Sequence, residues 1–283
     1  MGYLLGIIIV YQFILLGSEI FNFGRFSGIY SNPNMLSSLS LSTTVCSLWM
    51  IFKSNKKFIG WVFFLAGIIV TISTGSRTGL IGLVIILIGS LFILFELKYT
   101  LQKIKFIFSI IIVSLVIAFI MNFIDIPALN RLLGEKTVDN STGFSRGDIW
   151  IDGIPIFMEK PLFGWGYGSA NYHIYINNPS EFSQWGIHNS FLIILIENGI
   201  LGSVLYLAFF IFCFIKLKNK YKSLKLEIKQ KKFTKIIFLL CIVLLINGMS
   251  ESFLFSVGNP MSIPFWYSLL TLDIYLKKLS IQK

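Results

Sequence analysis

Long apolar blocks, separated by short polar or lysine-rich stretches, run through the whole chain. Each block is about 15–20 residues long, the length of helix that crosses a hydrocarbon core of about 30 Å. The first block lacks the basic region and the cleavage site of a signal peptide, so we interpret it as a span. The pattern predicts eight transmembrane helices, at about residues 2–16, 35–52, 58–73, 80–97, 106–124, 188–215, 236–254 and 261–276.

Composition strengthens this interpretation. The 283 residues are 55% hydrophobic and 13% charged, and the mean hydropathy is +0.79. Soluble domains carry roughly 25% charged residues, so a soluble globular enzyme, a disordered chain and a secreted disulfide scaffold are excluded. We predict an all-α multi-span membrane protein in which residues 1–283 form a single membrane domain.

The lysines orient the predicted spans. If the N-terminus is inside, eighteen of the twenty lysines fall in cytoplasmic segments, as the positive-inside rule requires. Both termini are then cytoplasmic, and the net charge of +11 belongs to juxtamembrane lysines rather than to a nucleic-acid surface. The lysine-rich segments are 53–57, 98–105, 216–235 and the C-terminal tail.

The arginines lie on the opposite side from the lysines. Arginine carries a rigid fork of donors that suits phosphate oxygens, so their placement favours an anionic ligand at the outer membrane face. With so few residues, chance is the alternative explanation. The four arginines, all extracytoplasmic in this topology, are Arg25, Arg77, Arg131 and Arg146.

One long segment, residues 125–187, is predicted to be an extracytoplasmic loop. Within it, Ser145 can cap a helix that begins near Arg146, which would rest on the membrane or cover a cavity. Pro161 ends this helix, and an aromatic, glycine-rich turn follows at 163–168. The residues expected on one face of the helix are Trp150, Ile154, Phe157 and Met158.

Two further stretches carry polar residues that a simple bundle does not need. Asn32-Pro33-Asn34 is a turn and helix-start signal that follows Arg25. Residues 73–79 form a tight turn in which glycines and free amides beside Arg77 would make a phosphate cradle. The alternative for this turn is a surface hairpin with an interfacial arginine.

His188 is the candidate general base. It is predicted to begin a helix that runs to Ile215, longer than the ~20 residues needed to span, so His188 should lie near the outer surface. A neutral imidazole there can act as a base near pH 7. Glu197 falls on the opposite side of that helix, and we interpret it as pairing with another helix. His173 lines either a sugar-stacking surface or a packed aromatic loop.

The cysteines and histidines predict no metal site. Cys46, Cys213 and Cys241 each lie inside an apolar block without CxxC spacing, so we interpret them as packing residues. With only two histidines besides, the chain lacks a recognisable zinc site. We expect no metal and no cofactor.

Taken in order, these stretches resemble the O-antigen ligase and Wzy-type polysaccharide polymerase superfamily. Each motif is short, and the specificity comes from the ordered set with a long outer loop before His188. The matching features are Arg25-x-x-Gly28 leading to Asn32-Pro33-Asn34, Ser76-Arg77, Arg146-x-x-x-Trp150 with 161–166, and His188 followed by Glu197-x-Gly199-x-x-Gly202.

The resemblance implies a GT-C-like helical fold and a membrane glycosyltransferase. Its donor would be an undecaprenyl-diphosphate-linked oligosaccharide at the outer face of the cytoplasmic membrane, and its partners would be membrane lipid and polysaccharide assembly proteins. His188 would be the base, and Arg25, Arg77 and Arg146 would bind the diphosphate without a metal. Members usually carry further spans before the Arg25 region, which implies a short variant or an N-terminally incomplete chain.

The sequence leaves several alternatives for the acceptor and for the function. A composition rich in Ile, Lys, Phe and Asn suggests an AT-rich genome and a Gram-positive source, which favours a polymerase in surface polysaccharide or capsule biosynthesis. The alternative is an O-antigen ligase acting on lipid A core. A lipid-linked sugar transporter would favour an internal repeat and charges near the midplane, neither of which we see. A structural role in an assembly complex is a further alternative.

Overall fold

The structure, a computed structural model, describes residues 2–14, 21–22, 25–30, 32–53, 57–95, 104, 146–177, 187–256 and 259–281. These residues are mainly helical. The helices are α1 (Gly2–Ile14), α2 (Pro33–Lys53), α3 (Lys57–Ser73), α4 (Arg77–Phe95), α5 (Arg146–Glu159), α6 (Ala170–Asn177), α7 (Ser190–Ser223), α8 (Ile228–Gly248) and α9 (Ile263–Ile281), with a 3₁₀ turn at Pro260–Ser262. Two short strands, β1 (Phe21–Asn22) and β2 (Arg25–Phe26), pair as an antiparallel hairpin.

Seven of the eight predicted spans coincide with helices, and the fifth, 106–124, lies outside the described residues. By length and composition, Pro33–Phe52 and Ser190–Ser223 are long and apolar enough to cross a membrane, while Lys57–Ser73 and Arg77–Ile93 are shorter apolar helices. Many large apolar side chains of α7 are exposed, Leu205 at 71% among them. Such exposure is typical of a helix surface that contacts hydrocarbon.

The chain divides into two compact units, and residues 1–141 with 226–244 form the first. Within it, α2 packs closely on α3 because small residues face each other. A methyl group on Gly67 would lie 3.0 Å from the backbone oxygen of Ser40, and the hydroxyls of Ser40 and Thr71 lie 2.6 Å apart. Small and hydroxyl side chains of this kind allow close helix packing in lipid.

The hairpin is anchored in this first unit by one aromatic side chain. Phe26 of β2 is 1% exposed and packs against Ile9, Leu36 and Val70, which come from α1, α2 and α3. In the hairpin, Arg25 lies opposite Asn22. Burial of Phe26 therefore fixes the position of the neighbouring Arg25.

Residues 142–225 and 245–283 form the second unit. Its core includes Ile156, Ile174 and Ile196, from α5, α6 and α7. The helix predicted to begin near Arg146 is confirmed as α5. Of the four residues predicted to share one face, Ile154 and Met158 are 53% and 64% exposed, while Trp150 and Phe157 pack against the core.

The side of α5 that contacts the core overlaps the predicted apolar face only in part. Trp150 and Phe157 contact the core cluster, and Ile156 is buried within it. Gly153 lies on the same side and approaches Leu192 and Ile196. The core therefore meets α5 along Trp150, Gly153 and Ile156, and the exposed Ile154 and Met158 lie outside this contact.

Candidate active site

Arg25 is buried in the first unit, where it holds the turn between α3 and α4. Its Nε donates to the carbonyl oxygen of Thr74 at 2.8 Å, and its Nη2 donates to Oδ1 of Asn34 at 2.8 Å. The side chain is 8% exposed. Its positive charge lies just beyond the C-terminal end of α3, where the helix dipole favours a cation.

Arg77 is on the same turn and begins α4. Ser76 caps this helix, because its Oγ accepts from the backbone amide of Gly79 at 3.2 Å, and Gly75 has the positive φ of 60° that the turn requires. The side chain of Arg77 is exposed. Two of the predicted arginines, Arg25 and Arg77, are thus brought to one turn, while the side chain of Arg146 lies outside the described part of the chain.

His188 does not begin the helix, contrary to the prediction. The helix α7 starts at Ser190, and Asn189 caps it by accepting from the amides of Phe191 and Leu192 at 3.0 and 3.1 Å. An Asn cap ends helical geometry at its own position, so His188 lies outside. His188 has φ 47°, a left-handed conformation in which functional residues are often held.

The backbone of Ile187, the residue before His188, is held by hydrogen bonds at both its amide and its carbonyl. The amide of Ile187 donates to Oδ1 of Asn171 at 3.2 Å, and its carbonyl accepts from the indole of Trp150 at 3.1 Å. Ile187 is fully buried. The unusual conformation of His188 is therefore imposed by its neighbours rather than by its own preference.

Glu251 is the partner of His188, and sequence reasoning missed it. His188 Nδ1 and Glu251 Oε2 lie 3.3 Å apart, with 15% and 7% of the two side chains exposed. The hydroxyl of Ser190 donates to the backbone carbonyl of Glu251 at 2.5 Å and accepts from the amide of Leu254 at 3.2 Å. The available signal was an acidic residue at the outer end of a predicted span, where a carboxylate is costly without a role.

The helix α7 is broken at Gly199, and the glycine-rich turn after α5 forms hydrogen bonds with the backbone groups that the break leaves free. Gly199 has φ 63° and ψ −169°, a region that essentially only glycine adopts. Four backbone hydrogen bonds join the two segments: Trp165 N to Ile196 O, Gly166 N to Glu197 O, Ile200 N to Pro161 O and Leu201 N to Leu162 O, at 2.8–3.2 Å.

The contact between these segments is too close for side chains. A methyl group on Gly164 would lie 2.4 Å from the backbone of Glu197, and one on Gly199 would lie 2.4 Å from the backbone of Leu162. The two motifs that are 35 residues apart in sequence, around Gly164 and Gly199, are therefore one structural unit.

Glu197 pairs with another helix, as interpreted. Its Oε1 accepts from the amide of Ala170, the first residue of α6, at 3.4 Å. Glu197 is 7% exposed. The predicted position of Glu197 opposite His188 counted helical turns from His188. That count does not apply, because His188 precedes the helix.

The rings near His173 form a packed aromatic loop. The ring centroids of Trp165 and His173 are 3.9 Å apart, and Lys160 Nζ lies 4.0 Å from the centroid of Trp165. The indole of Trp165 donates to the carbonyl of Ile156 at 2.8 Å. These contacts favour the packed-loop interpretation of His173.

A cavity of about 150 Å³ lies in the second unit beside Glu197. Ser190 and Ser252, which adjoin the His188 and Glu251 segments, contribute to its wall. Among the described residues, no group of three or more His, Cys, Asp or Glu is placed to hold a metal ion. The side chains at this end of the unit can therefore offer a base, a carboxylate and hydrogen-bonding groups.

Similarity to known proteins identifies the family. A family model described as O-antigen ligase matches residues 61–207, about half of the chain. The chain belongs to the O-antigen ligase family. The matched range contains the Arg77 turn, the glycine-rich turn, His188 and the break at Gly199, whereas Glu251 lies beyond it. As a member of the O-antigen ligase family, it is a membrane protein, and the resemblance drawn from the ordered motifs is confirmed.

One relative is a curated protein of Acinetobacter baylyi, a "ComP-specific O-oligosaccharyltransferase". It is 30% identical over 228 residues, which cover 75% of this chain and 39% of the relative. The chain therefore spans about two fifths of the length of that relative.

Proposed function

We propose that this chain transfers a glycan from an undecaprenyl-diphosphate carrier to an acceptor hydroxyl at the outer face of the cytoplasmic membrane. Family membership and the name of the A. baylyi relative support transfer of a lipid-linked glycan. The proposal includes eight spans in a GT-C-like, single membrane domain with both termini in the cytoplasm. It also includes chemistry without a metal ion, since arginines would neutralise the diphosphate.

The observation that carries the proposal is the pair of His188 and Glu251. Glu251 Oε2 lies 3.3 Å from His188 Nδ1, and we assign the tautomer in which Nδ1–H donates a hydrogen bond to the carboxylate while Nε2 keeps its lone pair. A carboxylate in this position orients the imidazole and stabilises the imidazolium that forms when Nε2 takes a proton. The fixed backbone on both sides of His188 keeps that nitrogen in one place.

The reaction follows from these groups. Nε2 of His188 removes the proton of the acceptor hydroxyl, and the acceptor oxygen attacks the anomeric carbon of the donor glycan. The bond from that carbon to the diphosphate oxygen breaks, and the diphosphate leaves with the electron pair. Arg77 and Arg146 are proposed to bind its oxygens, and Arg25 to add charge while it fixes the turn that carries Arg77.

For the acceptor, we propose another lipid-linked repeat unit, which makes the chain a polymerase of surface polysaccharide or capsule. The amino-acid composition, rich in Ile, Lys, Phe and Asn, suggests an AT-rich, Gram-positive source. It therefore supports this choice over lipid A core, the acceptor of an O-antigen ligase. The second candidate is a protein hydroxyl, supported by the name of the relative, an O-oligosaccharyltransferase specific for ComP. Polysaccharide assembly proteins are proposed partners of the polymerase only.

The test compares the only two histidines of the chain. In a strain that lacks the gene, His188→Ala is expected to lower glycan transfer by about 10²- to 10⁴-fold, the usual contribution of a general base. His173→Ala is the matched control and should retain transfer. Chain length of the surface glycan is read on a gel at equal membrane levels of both variants. Normal chain length with His188→Ala would refute the base assignment.

A further inference from the structure

The cavity in the second unit has features of its own beyond the His188 and Glu251 pair. Its wall combines aromatic rings with amide and carboxylate side chains, and it is formed by the turn before α6, by α6, by α7 and by the segment after α8. Ser190 lies two residues after His188, and Ser252 follows Glu251 directly. A molecule in this cavity would therefore adjoin the segments that hold the proposed base.

Three aromatic side chains contribute to the wall: Tyr167, Tyr206 and Phe255. The ring centroids of Tyr206 and Phe255 are 5.4 Å apart, and the hydroxyl of Tyr167 donates to the carbonyl of Phe255 at 3.4 Å. These contacts hold the rings in place before any ligand arrives. The C–H face of a sugar ring is apolar and packs on such aromatic faces, while rigid Tyr rings cost little conformational entropy.

Polar groups in the same wall match sugar hydroxyls, which donate and accept. Asn171 and Asn198 carry amides that can do both, and the carboxylate of Glu197 accepts through two oxygens. The amide of Ala170 uses one of those oxygens, and a carboxylate has about four acceptor sites. Glu197 can therefore hold the turn before α6 and still accept from a ligand.

The side chains of the wall do not favour the diphosphate as the occupant. The described residues that line the cavity include Glu197 and neither lysine nor arginine. A phosphate that leaves water needs charged partners, and these described residues supply no cation for it. A neutral, hydroxyl-rich ligand fits this wall, whereas the anionic part of the donor does not.

The size of the cavity limits what enters it. A cavity of about 150 Å³ is known to hold one six-membered ring, such as benzene in an engineered protein core. A hexose has about twice as many heavy atoms as benzene, so a cavity of this size takes the face of one sugar ring, and neither a longer glycan nor a peptide fits as a whole. We propose that this cavity binds the terminal neutral sugar of the acceptor, the unit that carries the attacking hydroxyl.

This inference rests on the proposed function and deepens it, because it assigns the acceptor to Glu197, Asn198 and the aromatic wall. It predicts that sugar binding and proton removal are separable. Substitution in the wall weakens binding of the acceptor sugar, whereas substitution of His188 leaves binding in place and stops transfer.

The experiment uses the purified full chain in detergent and saturation-transfer NMR with free sugars. The probes are glucose, galactose and N-acetylglucosamine at millimolar concentration, with inorganic pyrophosphate as the competing anion. Tyr206→Leu and Asn198→Ala are the wall variants, and Tyr221→Leu, at the other end of α7, is the matched control. His188→Ala is measured in parallel for both binding and transfer.

At least one sugar is expected to give a signal with the wild type, with Tyr221→Leu and with His188→Ala. Tyr206→Leu should weaken that binding about 2- to 10-fold, the loss expected for one aromatic contact, and pyrophosphate should not displace the sugar. The assignment would be overturned if the wild type gave no signal, if both wall variants gave the same signal as the wild type, or if pyrophosphate displaced the sugar. A signal that detergent monomers abolish would indicate an acyl-chain site and would overturn it too.

The two proposals fail in different ways. If the wall variants bind sugar normally while His188→Ala stops transfer, the acceptor assignment is wrong and the proposed function stands. If the wall variants lose sugar binding while His188→Ala still transfers glycan, the acceptor site stands and the base assignment is wrong.

Discussion

Replacement of Gly164 by alanine tests whether the glycine-rich turn really closes the break in α7. Gly164 has φ 71° and Gly168 has φ 80°, so the two positions place nearly the same conformational demand on a side chain. A methyl group on Gly164 would lie 2.4 Å from the backbone of Glu197, whereas one on Gly168 would meet nothing within 4 Å. Gly168→Ala is therefore the matched control.

The expected magnitudes follow from these contacts. Both substitutions place an alanine in left-handed geometry, at a cost of about 1–2 kcal/mol. Gly164→Ala also forces the turn away from α7, which endangers four hydrogen bonds worth about 2–6 kcal/mol together. We expect Gly164→Ala to lower the free energy of unfolding by at least about 2 kcal/mol more than Gly168→Ala does.

Thermal unfolding of the purified chain in detergent measures the difference, and limited chymotrypsin digestion locates it. Detachment of the turn should speed cleavage after Phe163 and Trp165 in Gly164→Ala, with little change in Gly168→Ala. Gly199→Ala, which brings a methyl group equally close to Leu162, should behave like Gly164→Ala. Equal stability and equal cleavage in Gly164→Ala and Gly168→Ala would refute the reasoning.

Substitutions at three other positions test contacts that stabilise each unit, and each is measured by thermal unfolding against the wild type. Arg25→Lys keeps the charge but loses the fork that bridges the Thr74 carbonyl and Asn34, and should cost about 1–3 kcal/mol; an unchanged midpoint would show that these bonds are dispensable. Asn189→Ala removes the cap of α7 and should cost about 1 kcal/mol, while Asn189→Ser should restore most of it. Gly67→Ala should cost about 1–3 kcal/mol by separating α2 from α3, and tolerance of the methyl group would contradict their close packing.

Much of the helical architecture could be predicted from the sequence because lipid demands continuous apolar helices. The boundaries were less accurate for local reasons. The helix expected to begin at residue 80 begins at Arg77, because Ser76 caps it. The helix expected to end at Ile215 continues to Ser223, since lysine and leucine favour helix once the chain leaves the apolar core.

The site could be predicted only in part. His188 stood out as one of two histidines, but its partner Glu251 is 63 residues away, and spacing along the chain does not reveal such a contact. The break at Gly199 was also missed, because an isolated glycine inside an apolar block does not show which segment will satisfy the freed backbone groups. The diphosphate-binding roles of Arg25, Arg77 and Arg146 stay predictions.

The break in α7 has a consequence for the order of events during synthesis. A helix that reached lipid with Ile196 and Glu197 carbonyls and Ile200 and Leu201 amides unpaired would meet a barrier to insertion. The segment that pairs with them, 161–166, leaves the ribosome about 35 residues earlier. The segment 161–166 is thus synthesised before the broken part of α7 that it pairs with. In the reverse order, the unpaired carbonyls and amides of the nascent helix would be exposed until that segment was made.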